Sequence, residues 1–172
     1  MNPLEHELAY PWPEVPALGA VAELRPGLYW VRMRLPFALD HINLWLLDDE
    51  IDCPQGRVRG WTVVDCGITT DETKAAWEKI FDTAFAGRPL LRLIATHFHP
   101  DHLGLAHWLA VGGDRRRWSA PLWMSATEWT IGRLLSQTKG ALGDEAGERT
   151  AAHFARHGLS DADSLAKVRA RG

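Results

Sequence analysis

The sequence is short of cysteine, of long apolar runs and of excess charge, and each shortage excludes a class of protein. Its two cysteines, Cys53 and Cys66, lack CxxC spacing and stand in unlike contexts, so we expect both to stay reduced. No apolar run approaches the roughly 18 residues that a membrane span requires. The formal net charge of −3 gives no electrostatic reason to expect nucleic acid or an anionic membrane as a partner.

The N-terminus also lacks the features of an export signal. Residues 1–16 contain glutamates and prolines in place of a positive start followed by an apolar stretch. We therefore expect a cytoplasmic protein without a membrane anchor. The one basic run, residues 115–117, follows two glycines and an aspartate, and we interpret it as a solvated loop rather than a phosphate-binding patch.

The remaining sequence alternates between strand-like and helix-like segments, which is typical of an α/β protein. Five prolines within residues 1–26 predict an irregular arm, because proline fixes backbone angles and removes hydrogen-bond donors. Periodic apolar spacing predicts a helix over 70–85, with Thr69 and Glu72 as its capping box. The predicted strands are 28–35, 43–47, 61–64, 90–95 and 122–124.

Three regions follow from this pattern. Residues 1–26 form the arm, 27–139 form an α/β core, and 140–172 form a polar helical tail divided at Gly158. Residues 48–60 are acidic and contain proline and glycine, so we expect a hairpin-like excursion at the surface. Within the core, a short helix is expected near 103–111, and another opens at Ser125.

One segment concentrates residues that bind metals. THFHPDHLG, residues 96–104, holds three histidines and an aspartate between a predicted buried strand and a predicted helix. Alternate side chains of an extended stretch share a face, so His97 and His99 can point at one metal. A turn at Pro100 can swing Asp101 and His102 towards a second point. These donors suit zinc, and also manganese or iron, whereas a polar turn of solvated histidines is the competing interpretation.

The THFHPDH segment resembles the signature of the metallo-β-lactamase fold superfamily. Asp65, in VVDCG (63–67), is similar to an aspartate at the family's strand end, and Asn43, in HINLW (41–45), is similar to its asparagine-bearing strand. The similarity covers roughly residues 25–130. It implies the N-terminal half of an αββα sandwich, with a mixed sheet flanked by helices and a metal site at the sheet edge.

The resemblance also implies a role for each motif residue. His97 and His99 would bind a first metal, and Asp101 and His102 a second, with two zinc ions in a complete site. Asp101 is the catalytic candidate, since its ionised carboxylate would orient a metal-activated water. Asp65 would hold the metal-binding loops through hydrogen bonds, the alternative being an ordinary turn aspartate.

The family takes further ligands from a second half of the sandwich, and we find no equivalent in this sequence. His107 is interpreted as a packing residue. His153 and His157, spaced i,i+4, are assigned to a solvated helix rather than to a metal site. The chain is therefore expected to be a partial member of the family, with an exposed apolar sheet face that leads to self-association or accepts a missing C-terminal half.

The leading functional hypothesis is a metal-dependent hydrolase of a small-molecule ester, lactone, thioester, amide or phosphoester. A single-iron sulfur dioxygenase stays open within the same family. From another class, a non-catalytic metal-binding or interaction module stays open as well. The substrate is not specified, because the aromatic residues that could line a pocket are interpreted first as core residues: Trp30, Phe37, Trp108 and Trp118.

Overall fold

The chain folds into two compact units, Met1–Ser125 and Ala126–Gly172. The computed structural model describes residues 4, 7, 9, 11–54, 56–137 and 144–169, without the side chains of 137 and 144–146. The division after Ser125 differs from the core boundary that we predicted at residue 139, because the helix opening near Ser125 groups with the second unit.

The first unit is a mixed six-stranded sheet in which strand order follows chain order. The first four strands pair antiparallel, and the last two each run parallel to the strand before. This arrangement confirms the expected α/β class. The strands are β1 (Val21–Arg25), β2 (Leu28–Arg34), β3 (His41–Cys53), β4 (Gly56–Val64), β5 (Leu90–Ile94) and β6 (Leu122–Trp123). The helices of this unit are α1 (Asp71–Asp82), α2 (Pro100–Leu103) and α3 (Ala106–Ala110).

Strand β1 lies inside the arm that we expected to be irregular up to Pro26, so that expectation is wrong for Val21–Arg25. A two-residue turn, Pro26 and Gly27, joins β1 to β2, and Gly27 has φ +81°. Proline followed by a residue with positive φ suits a type II turn. The proline therefore ends an edge strand, where a missing donor is tolerated, instead of breaking the sheet.

Strands β3 and β4 form a hairpin longer than the two short strands predicted. The ladder runs from the pair Trp45 and Val64 to the pair Cys53 and Gly56. The outer part of the ladder does not alternate between apolar and polar residues. Charged residues occupy these positions and pair across the two strands. Arg57 pairs with Glu50 at 3.1 Å and with Asp52 at 3.3 Å, and such opposite-charge neighbours stabilise a ladder modestly. The expected surface excursion is therefore a continuation of both strands.

Helix α1 begins one residue later than its sequence pattern predicted. The N-cap is Thr70, whose side chain accepts a hydrogen bond from the Thr73 amide at 3.1 Å. Thr69 was predicted for this position, but its hydroxyl donates to the Gly104 carbonyl at 2.8 Å. The correction links the start of α1 to the loop that follows the histidine motif.

The core lies between one face of the sheet and helices α1 and α3. Burying one large apolar side chain in such a core contributes about 1.5–3 kcal/mol to the free energy of folding. Trp108 and Trp118 pack against Phe81 with ring centroids 5.9 and 5.0 Å away, which supports their interpretation as core residues. The side chains with no exposed surface include Val31, Met33, Leu44, Leu46, Val63, Trp77, Ile80, Leu93 and Leu109.

The opposite face of the sheet carries a row of large apolar side chains. Directly paired residues on neighbouring strands point to the same face. The strand register therefore aligns one residue from each of β2 to β6, and we call this set the tryptophan row. Its first four members are half-buried and the last is 52% exposed. The tryptophan row consists of Trp30, Trp45, Val64, Ile94 and Trp123.

The second unit contains α4 (Ala126–Gln137), α5 (Asp144–Arg156) and α6 (Ala162–Arg169). Helices α5 and α6 are separated at Gly158, as predicted, and Gly158 has φ +100°. Asp161 accepts a hydrogen bond from the Ser164 amide at 2.7 Å and so caps the start of α6. Among the described residues, every helix is too short or too polar to cross a membrane.

Candidate metal centre

The histidine motif lies at the edge of the sheet where β4 and β5 end. These two strands are parallel, so their carboxyl ends meet at the same edge. The Asp65 amide donates to the Ile94 carbonyl at 2.8 Å and fixes the two ends side by side. His99 then caps α2, with Pro100 at the first helical position, so the chain turns sharply inside the motif. The motif side chains are thereby gathered beside Asp65.

Asp65 is the buried centre of this group, with 5% of its surface exposed. Its φ of +61° falls in the left-handed region, which aspartate tolerates better than most residues. The carboxylate accepts hydrogen bonds from the Thr96 amide at 2.8 Å, from the Thr96 hydroxyl at 2.9 Å and from His102 Nδ1 at 2.8 Å. Because a carboxylate only accepts, His102 Nδ1 carries the proton of this bond, and in the neutral ring the lone pair is then on Nε2.

His97 and His99 direct ring nitrogens at each other. His97 Nε2 lies 3.1 Å from His99 Nδ1, and the ring centroids are 4.7 Å apart. The ring of His97 also lies against His102, with centroids 3.8 Å apart. Three imidazoles that lie this close together would repel one another if protonated, and the unprotonated nitrogens of neutral imidazoles can bind a cation.

Asp101 lies on the far side of His102 from Asp65. Asp101 Oδ2 is 3.4 Å from His102 Nε2, and the two side chains are 24% and 21% exposed. His102 therefore has a carboxylate at each ring nitrogen, a buried one at Nδ1 and a partly exposed one at Nε2.

The donor set fits a divalent metal such as zinc. A tetrahedral ion with bonds of about 2.0–2.1 Å places its ligand atoms roughly 3.3 Å apart. The separations of 3.1 Å in the His97 and His99 pair and 3.4 Å in the Asp101 and His102 pair are close to that value. Yet in the described part of the chain, no three His, Cys, Asp or Glu side chains are grouped to hold one ion. The motif therefore presents two pairs of ligands rather than a complete ligand set.

Cys66 lies next to the histidine motif and was not assigned a role from the sequence. It is a free thiol with no exposed surface, and burial raises its pKa well above the usual range. Its amide and its thiol both donate to the His102 carbonyl, each at 3.0 Å. Protonated and enclosed, Cys66 supports the backbone of His102 and is a poor nucleophile.

Gly104 closes the loop where no side chain would fit. A Cβ at this position would lie 2.3 Å from the Pro100 carbonyl oxygen and 3.2 Å from the Gly67 carbonyl oxygen. The close approach keeps the start of α3 against the loop after β4, and so keeps the motif beside Asp65.

Comparisons with known proteins show the family to which the chain belongs. The sequence model of the metallo-beta-lactamase superfamily matches residues 37–161. The chain belongs to that superfamily. A beta-lactamase domain protein from Burkholderia ambifaria is 49% identical over 98% of this chain, with a TM-score of 0.81. A metallo-beta-lactamase family protein from Thermus thermophilus is 23% identical over 86% of this chain, with a TM-score of 0.56, and supports the fold alone.

This superfamily chain is shorter than the relatives that it matches. It spans 45% of the Burkholderia chain and 43% of the Thermus chain. No curated protein matches it. Membership is therefore shown by the family match and the 49% identical structure, whereas an activity for this chain is a matter of proposal.

Three histidines outside the motif were also interpreted from the sequence. His107, interpreted from the sequence as a packing residue, is exposed on α3, so that interpretation is wrong. His153 and His157 are both exposed on α5, with ring centroids 4.5 Å apart, as expected for a solvated helix face.

Of the four aromatic residues weighed as pocket walls, Phe37 is 52% exposed, and Trp30 donates to Asn43 Oδ1 at 2.8 Å.

Proposed function

We propose that the chain is the metal-binding part of a hydrolase of the metallo-beta-lactamase superfamily. The observation that carries this proposal is the meeting of two ligand pairs at one sheet edge, both next to the buried Asp65 carboxylate. His97 and His99 would hold one ion, and Asp101 and His102 a second, with zinc as the expected metal and manganese or iron as alternatives.

The bound ions would supply a water molecule acidic enough to lose its proton near neutral pH, and would polarise the bond to be cleaved. Asp101 would orient that water, because its partly exposed carboxylate can accept a hydrogen bond from solvent. Asp65 would hold His102 by accepting from Nδ1, so that the ring keeps one orientation. The substrate class proposed is a small ester, lactone, thioester, amide or phosphoester.

We also propose where the missing ligands come from. The described residues supply pairs of ligands, and the match to this chain covers less than half of each of the two relatives, 45% and 43%. Residues outside the described part of this chain, from a second copy or from further sequence, would complete each ion's coordination. Activity therefore depends on that completion.

A second candidate function has an observation in its favour. Since no three ligands are grouped within the described ranges, those ranges alone do not form a complete catalytic site. The chain would then be a non-catalytic metal-binding or interaction module derived from the same fold. Chelation would unfold such a module without ending any turnover.

The test is a hydrolysis screen with chromogenic esters, a lactone, a thioester and a phosphoester on chelated and metal-reloaded protein. We expect turnover to return with zinc or manganese and to fall by a factor of about 100 or more in Asp101→Asn. His107→Ala is the matched control, since this exposed histidine lies near the motif and outside it. In self-associated protein, where a second copy can complete the ligand set, metal binding without turnover on any substrate would favour the module. Iron-dependent consumption of dioxygen would favour the dioxygenase.

A further inference from the structure

The Thr96 hydroxyl makes several polar contacts within the motif, although the sequence assigned Thr96 no role. Its hydroxyl oxygen lies 3.0 Å from Asp65 Oδ1, 2.9 Å from Asp65 Oδ2 and 3.0 Å from His97 Nδ1. His102 Nδ1 is farther, at 3.4 Å, and already has Asp65 Oδ2 at 2.8 Å. The hydroxyl therefore links the buried carboxylate to His97.

The direction of the hydrogen bonds at the Thr96 hydroxyl follows from the protons available. A threonine hydroxyl has one proton to donate and lone pairs to accept with, and an ionised carboxylate can only accept. The proton of Thr96 must therefore go to Asp65. The bond to His97 then requires that His97 Nδ1 carries a proton and donates it to the hydroxyl oxygen. A His97 ring with its proton on Nδ1 has its free lone pair on Nε2.

That lone pair is the one that faces His99. His97 Nε2 lies 3.1 Å from His99 Nδ1, the spacing of the first ligand pair. We propose that Thr96 is a positioning residue that fixes the tautomer and ring orientation of His97 for metal binding. This inference rests on the proposed function, because it assumes that His97 is a ligand.

Asp65 thus controls two histidines by different routes. It holds His102 directly, and it holds His97 through the Thr96 hydroxyl. The Thr96 amide bonds Asp65 Oδ1 independently of the side chain, at 2.8 Å. Removing only the hydroxyl should therefore disturb His97 and leave both the backbone contact and His102 in place.

The experiment compares Thr96→Val with Thr96→Ser. Valine keeps the branched shape and loses the hydroxyl, whereas serine keeps the hydroxyl. Zinc affinity, measured by competition with a chromogenic chelator, is expected to fall about tenfold in the valine variant and to stay within about twofold of wild type in the serine variant. Equal affinities in wild type and Thr96→Val would overturn the inference.

A second readout does not depend on bound metal. Long-range 1H–15N correlation spectra of the metal-free protein, recorded well above the ordinary imidazole pKa of about 6.5, report which ring nitrogen carries the proton. We expect His97 to be protonated on Nδ1 in wild type and in Thr96→Ser, and to become a mixture in Thr96→Val. His102 is the internal control and should stay protonated on Nδ1 in all three proteins.

The two readouts separate the inference from the proposed function. If wild type binds no zinc, the proposed function fails, while the spectra still decide whether Thr96 sets the His97 tautomer. If wild type binds zinc and the His97 tautomer is the same in Thr96→Val, the proposed function stands and Thr96 has no positioning role.

Discussion

Asp48 and Asp65 are shielded carboxylates of the same sheet, and they are neutralised in different ways. Asp48 pairs with two full cations, Arg59 at 2.5 Å and Arg88 at 2.9 Å. Asp65 accepts from an amide, a hydroxyl and an imidazole. The charge of Asp48 is therefore balanced by two cations within the chain. Asp65 is instead hydrogen-bonded to His102 and, through the Thr96 hydroxyl, to His97.

Under the proposed function, the Asp48 cluster stabilises the fold and the Asp65 cluster serves metal binding. A carboxylate matched by arginines is neutralised without a ligand, and removing it leaves the arginines without their partner. A carboxylate behind metal-binding imidazoles increases their basicity and fixes their orientation, so its charge is best satisfied when a cation is present. Substitutions at the two positions should accordingly affect different measurements.

The largest effect is expected for Asp65→Asn. Asparagine tolerates the left-handed backbone of this position, so the change removes the charge and one acceptor with little backbone strain. We expect zinc affinity to fall 10- to 100-fold and the free energy of unfolding of the metal-free protein to fall by about 1–3 kcal/mol. Chelator competition and urea unfolding measure the two quantities. Unchanged zinc affinity would mean that Asp65 is an ordinary turn aspartate.

Asp48→Asn should change stability without changing metal affinity. The hydrogen bond from Arg59, with the charge of Arg88 beside it, holds the pKa of the Asp48 carboxyl below its usual value. A lowered folded-state pKa stabilises the protein above the unfolded-state value of about 3.9, and that contribution is lost as the pH falls through the folded-state pKa. We expect a loss of about 1–2 kcal/mol at pH 7 that shrinks in acid below about pH 4.

The measurement for Asp48→Asn is the free energy of unfolding as a function of pH, alongside zinc affinity. A variant that matches wild type in stability at neutral pH would show that the arginine pairs contribute nothing. A variant that loses zinc affinity as much as Asp65→Asn would abolish the distinction between the two clusters.

The smallest effect on stability is expected at the tryptophan row. The two faces of the sheet also form a contrast, between one face that is covered within the chain and one that is partly exposed. One face is covered by α1 and α3, whereas Trp123 at the end of the row is 52% exposed. We expect wild type to self-associate at micromolar concentration and Trp123→Ser to do so less, with stability changed by under about 1 kcal/mol.

Trp129→Ser is the matched control for this prediction, because Trp129 is 48% exposed and lies on α4, outside the row. Light scattering over a concentration series measures the association. A wild-type protein that is monomeric throughout, or a control variant that dissociates as much as Trp123→Ser, would show that the row does not drive association.

The ligand candidates and several strands could be predicted from the sequence, because each depends on a local pattern. The four ligand candidates lie within six residues, so a local pattern was enough to find them, and the apolar runs of β2, β4 and β5 were equally local. Asp65 was singled out by resemblance alone, and its bonds to Thr96 and His102 join residues 31 and 37 positions apart. The hydrogen bonds of the Thr96 hydroxyl were not predicted, because a single hydroxyl carries no distinctive sequence pattern.

Other features escaped prediction because competing signals had equal local strength. Thr69 and Thr70 are both good N-caps, and only the approach of Gly104 assigns Thr69 a different partner. The prolines around β1 predicted irregular structure, since the sheet edge that tolerates them is not visible in the sequence. His107 was assigned to the packed side of an apolar helix, but it is exposed on α3, which begins at Ala106.

The measurement that tests the central claim most directly is metal content per chain, by mass spectrometry on tag-free protein, for wild type and for His97→Ala combined with His99→Ala. His107→Ala is again the control. The account predicts bound zinc in wild type and in the control, and its loss in the double variant. Equal metal content in wild type and the double variant, or none in either, would contradict the assignment of this sheet edge as a metal centre.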